Sequence, residues 1–392
     1  MYAVSGTATP SPGTPSVLRA MNDRTALDLL IAHGPLTRTR IGELTGLSKP
    51  TASQLLTRLE TAGLVRTTGS QSGRPGPNAV LYEIRPDAAH VAALAVGHTG
   101  ISARVSDITG AVVGESRVEA EAVADDVRGR TAQLVAEAVD GALGQAGLDH
   151  GDLHCVVIGT PGAIDPHTGE LRYAPHLPGW QSRTLLGDLA DVLGTPVVIE
   201  NDVNLAAIAE QHEGAAQDYD DFVLAWVDRG VGAAIVLGGT LLRGATGGAG
   251  EIGYMPLPGA PLARGGDEKW AADDAGGGFQ SQVASAAVRN LAGGLPLAEA
   301  LADESVRAEV AHRLATGLAA VVAVVDPELV VLSGSVAEAG GEALRERVEA
   351  ELTGLALPRP LLRISDITGD PILTGALRIA LSQARDAVFD TT

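Results

Sequence analysis

The chain changes texture near residue 88, and this break constrains its fold more than any other feature. Before the break, short apolar stretches are each closed by a glycine, at Gly34, Gly46 and Gly63. After it, apolar runs of strand length alternate with runs of helical periodicity. Two textures in 392 residues imply separate folding units, each with enough apolar residues for its own core.

Charge divides at the same place. The whole chain carries a formal −20, but Met1–His90 holds nine Lys and Arg against six Asp and Glu, and the remainder holds nineteen against forty-two. A mildly basic head on an acidic body lets the head approach a polyanion while the body is repelled by it. The lone cysteine, Cys155, lies in the apolar run His154–Ile158. It excludes an internal disulfide and a cysteine-based zinc cluster. The first residues lack the charged and apolar regions of a secretion signal. The longest purely apolar stretch, Leu318–Val325, falls far short of the ~20 residues of a membrane span. The expected compartment is the cytoplasm, with no membrane partner.

Residues 1–20 are rich in Pro, Ser, Thr and Gly and read as a flexible tail. Asn22 or Asp23 then caps a helix that buries Ala26, Leu27, Leu29, Leu30 and Ile31 and ends at Gly34-Pro35. Thr37 caps a second, short helix broken by Gly46. Ser48 caps a third, with Pro50 in its first turn, where the missing N–H does no harm. Strands over Leu64–Thr68 and Val80–Ile84 flank the loop Gly69–Asn78. Helix, short helix, glycine turn, longer helix and hairpin make a winged helix-turn-helix over residues 21–87. In the third helix Ser48, Lys49, Thr51, Ser53 and Gln54 are the polar residues placed to meet base edges. Arg58, Arg66, Arg38 and Arg40 are placed for phosphates, which fix register without reading sequence. Arg74, at the loop tip Gly73-Arg74-Pro75-Gly76, can enter a minor groove. Such shapes also serve protein contacts, and a loop arginine is often only solvated.

Residues 88–392 read as an α/β body. Strands fall at Val91–Val96, Ile101–Ser106, Cys155–Ile158, Val197–Ile199, Phe222–Val227, Ala233–Leu237 and Leu329–Leu332, and helical runs at Thr131–Ala146 and Gly317–Val325. SDITG occurs at Ser106–Gly110 and again at Ser365–Gly369, either by coincidence or as one turn used twice. Four segments stand in order: Gly159-Thr160-Pro161-Gly162 with Ile164-Asp165; Glu200-Asn201-Asp202-Val203-Asn204; Leu242-Arg243-Gly244 leading to Gly250-Glu251-Ile252-Gly253-Tyr254; and Asp326-Pro327 through Ser333-Gly334. Together, behind a winged helix, they resemble the ROK family of sugar kinases and sugar-responsive repressors.

The resemblance implies a two-lobed, actin/hexokinase-like sugar-kinase fold. It implies sugar contacts from Asn201, Asp202 (the position of the kinase base) and Glu251, in a site that includes Gly162 and Tyr254. Carboxylates and amides at strand ends can each take two vicinal hydroxyls. Without the resemblance, Asn201 or Asp202 is equally a helix cap, and Glu251 a solvated residue by a glycine loop. The departures bear on chemistry. Ala95 replaces the acidic residue of the first phosphate loop, and Asp228-Arg229 interrupts the glycine cradle of the second. Tyr254 replaces the family's zinc-binding His, and residues 255–282 contain no cysteine, so neither metal nor cofactor is expected. Phe279 and Ser281 stand where the family has a last Cys and a sugar-binding Glu. Packing by Trp270 or Phe279 must then order the loop.

The expected function is a DNA-binding regulator, a repressor of carbohydrate-related genes. It would act as a homodimer or higher oligomer on a palindromic operator, answer to a sugar or sugar derivative, and lack kinase activity. A ligand-independent regulator with a vestigial pocket and an active ATP-dependent sugar kinase are the alternatives.

Overall fold

The computed structural model describes residues 15–71, 79–97, 100–119, 130–165, 167–172, 180, 184–262 and 277–389. The wing tip with Arg74, the loop residues His98 and Thr99, and Trp270 lie outside these. The chain forms two compact units. One comprises Met1–Val91, Ser106–Val112 and Leu381–Thr392; the other comprises Ala92–Val105 and Val113–Ala380.

In the first unit, α1 (Pro15–His33), α2 (Arg38–Thr45) and α3 (Lys49–Thr61) precede strands β2 (Val65–Gln71) and β3 (Ala79–Ile84). A two-residue strand, β1 (Leu36–Thr37), completes an antiparallel sheet of order β1-β3-β2. The caps fall where expected. Thr37 accepts from the Arg40 N–H and Ser48 from the Thr51 N–H. Gly46 ends α2 at φ 72°, a conformation a side chain would strain.

The start of α1 corrects the sequence reading. The helix begins at Pro15, inside the expected tail, and Asp23 is not its cap. Asp23 lies within the helix, 3% exposed, because Arg58 of α3 reaches back to neutralise it. The core of this unit is Ala26, Leu27, Leu30, Ile41, Leu55, Leu56, Leu59 and Ile84, and it is completed from far along the chain by Ile108 and Phe389. Ile108 sits on a turn in which the Asp107 carboxylate accepts from the Thr109 N–H and hydroxyl. Arg385 donates twice to the Ile108 carbonyl, and Arg24 pairs with Asp386 while lying 5.5 Å over the Phe389 ring.

The second unit holds two five-stranded sheets. The first has the order β10-β7-β4-β5-β6, from β4 (His90–Gly97), β5 (Gly100–Asp107), β6 (Val112–Glu119), β7 (Leu153–Thr160) and β10 (Val197–Asn201). The hairpin tip between β5 and β6 belongs to the first unit. Helix α4 (Thr131–Ala146) buries Val135, Ala138, Val139, Ala142 and Leu143, the i, i+3, i+4, i+7, i+8 stripe of a core-facing helix. With α5 (Leu185–Leu193) it closes the core of this sheet. A small ribbon, β8 (Ala163–Ile164) with β9 (Leu171–Arg172), follows β7. Helix α6 (Asp202–Glu213) then leaves the end of β10.

The second sheet has the order β13-β12-β11-β14-β15, from β11 (Phe222–Val227), β12 (Val231–Leu237), β13 (Thr240–Leu241), β14 (Leu329–Ser333) and β15 (Leu361–Ile364). Every residue of β14 is buried, as a central strand covered on both faces requires. The helices Glu304–Val325 and Ser335–Leu355 flank it, the latter bent at Gly341. By length and composition Glu304–Val325 could cross a membrane. Its Val310, Leu314, Leu318, Val321 and Val322 instead pack into the core. The two SDITG segments are not one turn used twice. The first closes a hairpin, whereas the second follows β15 and runs to Asp370, whose carboxylate accepts from Ile372 and Leu373 to start the helix Pro371–Phe389.

Candidate functional site

On the first unit, α3 presents a polar row. Its inner face is spent on Ala52, Leu55, Leu56 and Leu59, which leaves Lys49, Thr51 and Gln54 exposed and Ser53 half-buried at the rim. Ser48 fixes the helix start and shares a 2.8 Å hydrogen bond with the Thr51 hydroxyl. Arg38 of α2 donates to the Ser53 hydroxyl at 2.9 Å, so two of the expected DNA contacts support each other. Arg40 is exposed and pairs with Glu43, and Arg66 pairs with Glu83. Surface pairs of this kind are weak and exchange readily for phosphate. Thr57, one turn beyond Ser53, is exposed in the same row and escaped the sequence reading, which stopped at the helix N-terminus.

Arg58 has a partner within the head. Its Nε and Nη2 reach the two oxygens of Asp23 at 3.2 and 2.6 Å. The guanidinium is engaged by a buried carboxylate, so any phosphate contact from Arg58 would compete with this pair.

In the second unit the END segment does what its position at a strand end demands. Asn201 closes β10 opposite Thr160 and caps α6. Its Oδ1 accepts from the Asn204 N–H at 3.0 Å, and its Nδ2 donates to the Gly162 carbonyl at 2.9 Å. The carboxamide is thus largely committed to holding the Gly162 turn against the helix start. Asp202, the first residue of α6, accepts from the Val203 N–H at 2.8 Å.

Glu251 begins a single helical turn, Ile252–Tyr254, with Tyr254 exposed beside it. The glycine run brings it there by close approach. A Cβ on Gly247 would lie 2.1 Å from the Ile164 carbonyl, and one on Gly250 1.9 Å from that of Ala233. Burial pushes the Asp202 carboxyl up to about 6, with the nearby Asp228 adding to the rise. Burial likewise pushes Glu251 up to about 7, with Asp202 contributing. Asp202 and Glu251 are thus close enough for the charge of one to raise the carboxyl of the other. Two carboxyls raised in this way accept from hydroxyls when charged and donate to them when protonated.

Asp228 lies at the end of β11. Its N–H donates to the Gly230 carbonyl, its carbonyl accepts from the Ser285 N–H, and its carboxylate accepts from the Ser335 hydroxyl, the first residue of the helix after β14. Gly334, at φ 91°, would place a Cβ 2.7 Å from the Val227 carbonyl. The two strand-end loops are therefore closed on each other. Phe279 is 1% exposed and its ring fills the space over Gly317, so apolar packing orders the segment after residue 277. Ser281 donates to the Gly278 carbonyl. Among the described residues no group of three or more His, Cys, Asp or Glu is arranged to hold a metal ion.

Residues 91–368 match the ROK family model. The chain belongs to the ROK family. Residues 22–74 match the model of the MarR family, which places a winged helix of that type ahead of the ROK region. The chain is similar to a xylose repressor of Caldicellulosiruptor bescii (26% identity; 62% of this chain, 61% of the relative). It is also similar to the DNA-binding transcriptional dual regulator NagC of Escherichia coli (24%; 62% of this chain, 59% of the relative). The matched part thus spans about three-fifths of either relative. Among solved structures, a ROK family transcriptional regulator described as a homolog of the E. coli MLC protein matches with a TM-score of 0.68 at 21% identity, over 95% of this chain and 97% of that one. A ROK hexokinase from Thermus thermophilus matches at 0.60 and 30% identity, over 76% of this chain and 99% of that one. The fold is thus shared by regulators and kinases.

Proposed function

We propose that this ROK protein is a sequence-specific DNA-binding regulator of carbohydrate-related genes, acting as a repressor. It answers to a sugar or sugar derivative and has no kinase activity. The observation that carries the reading is Asp228. Its carboxylate, tied to Ser335, fills the strand-end position at which a phosphate-transferring relative would need an open cradle of backbone N–H groups. The polar row of α3 supplies the DNA-reading face, with Lys49, Thr51, Ser53 and Gln54 toward base edges and Arg38 and Arg40 toward phosphate; Arg74 remains the wing contact. Asp202 and Glu251, with Gly162, Asn201 and Tyr254 around them, form the ligand site. A homodimer on a palindromic operator, working in the cytoplasm, follows from pairing two such heads along one duplex.

Recovery and sequencing of genomic fragments bound by the purified protein at physiological salt tests the reading. Sharp peaks sharing an inverted repeat, with no ATP consumed in the presence of sugars, support it. Diffuse recovery that vanishes on a modest rise in salt, or steady ATP turnover, removes it. A ligand-independent regulator is favoured by one observation, the commitment of the Asn201 carboxamide to protein partners. Under that reading no sugar raises the melting temperature.

A further inference from the structure

One buried charged side chain beside the ligand site is not among its proposed ligands. Glu200, 8% exposed, is the penultimate residue of β10. One carboxylate oxygen accepts from the Asn201 N–H at 3.0 Å and from Asn204 Nδ2 at 2.9 Å. The other accepts from Arg243, Nε at 2.9 Å and Nη2 at 2.7 Å. Arg243 follows β13, so this ion pair joins the end of a strand in one five-stranded sheet to the edge of the other, within the second unit. Both oxygens of this buried carboxylate are engaged, and the planar guanidinium is its matched partner.

The chain on either side makes the pair consequential. Glu200 is locked through Asn201 and Asn204 to the start of α6, hence to Asp202. Arg243 opens the glycine segment that ends at Glu251, and that segment is pinned by backbone approach at Gly247 and Gly250. We propose that the Glu200–Arg243 ion pair is the positioning latch of the ligand site: it sets the spacing between Asp202 and Glu251, and couples occupancy of the site to the separation of the two sheets. Neither residue touches the ligand. Both act through the carboxylates they hold in place. The inference rests on the reading of Asp202 and Glu251 as ligand groups, and its experiment separates the two.

Hydrogen exchange of the full-length protein is followed in the parent, Arg243→Ala, Arg243→Lys and Glu200→Gln. Without any sugar, amides of residues 242–251 should exchange about tenfold faster in Arg243→Ala and Glu200→Gln, while β11 and β14 keep their protection. Arg243→Lys, which keeps the charge but not the fork, should fall between. Unchanged exchange in residues 242–251, or equal loosening throughout the molecule, overturns the latch. D-xylose, D-glucose and N-acetyl-D-glucosamine are then added as probes. Any that protects the Glu251 segment in the parent should need about tenfold more sugar in Arg243→Ala, a loss of coupling of ordinary allosteric size. Equal sugar requirement in both overturns the coupling. A parent that responds to none of the three counts against the sugar reading, and the latch is then decided by the sugar-free exchange alone.

Discussion

Burial keeps protons on Asp202 and Glu251 that the unfolded chain would release near pH 4. Their carboxyls rise from 3.8 to about 6 and from 4.5 to about 7 on folding. Between those limits the native state binds more protons than the unfolded one, so stability falls as pH rises from 4 to 7 and levels off above. Glu251→Gln should therefore stabilise the protein at pH 8 by about 1–2 kcal/mol and leave it unchanged near pH 4, as read from urea unfolding. A variant weakened at pH 8 would mean that the charged form has a partner in the native site. In the head, Lys49 and Arg58 separate reading from support. Lys49→Ala should flatten the slope of log K against log salt by about one, with no change in melting. Arg58→Ala should instead destabilise the head by about 2 kcal/mol, because it strands the buried Asp23 carboxylate. If Arg58→Ala changed only the salt slope, its pairing with Asp23 would have no structural role.

Among the elements, the last helix completes the core of the head. Phe389 lies in the same core as Leu27 and Leu30. Phe389→Ala should cost about 3 kcal/mol and open α1 and α3 to hydrogen exchange while β11 and β14 stay protected. Protection of α1 equal to the parent's would show that the aromatic ring is dispensable. Local signals made the neighbouring elements readable. Thr131–Ala146 could be placed to the residue because an apolar stripe of helical period ends at Gly147. Ser48 and Thr37 could be placed as caps because their side chains act on the next turn. The start of α1 was misplaced because Asn22-Asp23 carries the chemistry of a cap, and its actual partner, Arg58, lies 35 residues away. The helix Ser335–Leu355 was hidden by the bend at Gly341. Of the proposed site, Asp202 and Glu251 stand in motifs that a sequence displays. The latch was not, because Glu200 and Arg243 are 43 residues apart and meet only when two sheets are assembled.

At the scale of the whole molecule, charge is segregated: Met1–His90 is net basic and the remainder strongly acidic. The acidic remainder should keep non-specific DNA binding weak, so raising salt from 50 to 200 mM should weaken operator binding only as far as the few cations of the head dictate. A steeper loss, as read from fluorescence anisotropy, would reveal phosphate contacts outside the head. The sharing of the head's core among three stretches of chain also sets an order of events during synthesis. A winged helix at the start of a chain would ordinarily fold as soon as it leaves the ribosome. This one lacks Phe389 until the whole second unit has been made, so a nascent chain that stops short of it carries an unfinished head. Cells in which synthesis stalls would then hold few fragments able to occupy an operator and ignore its signal.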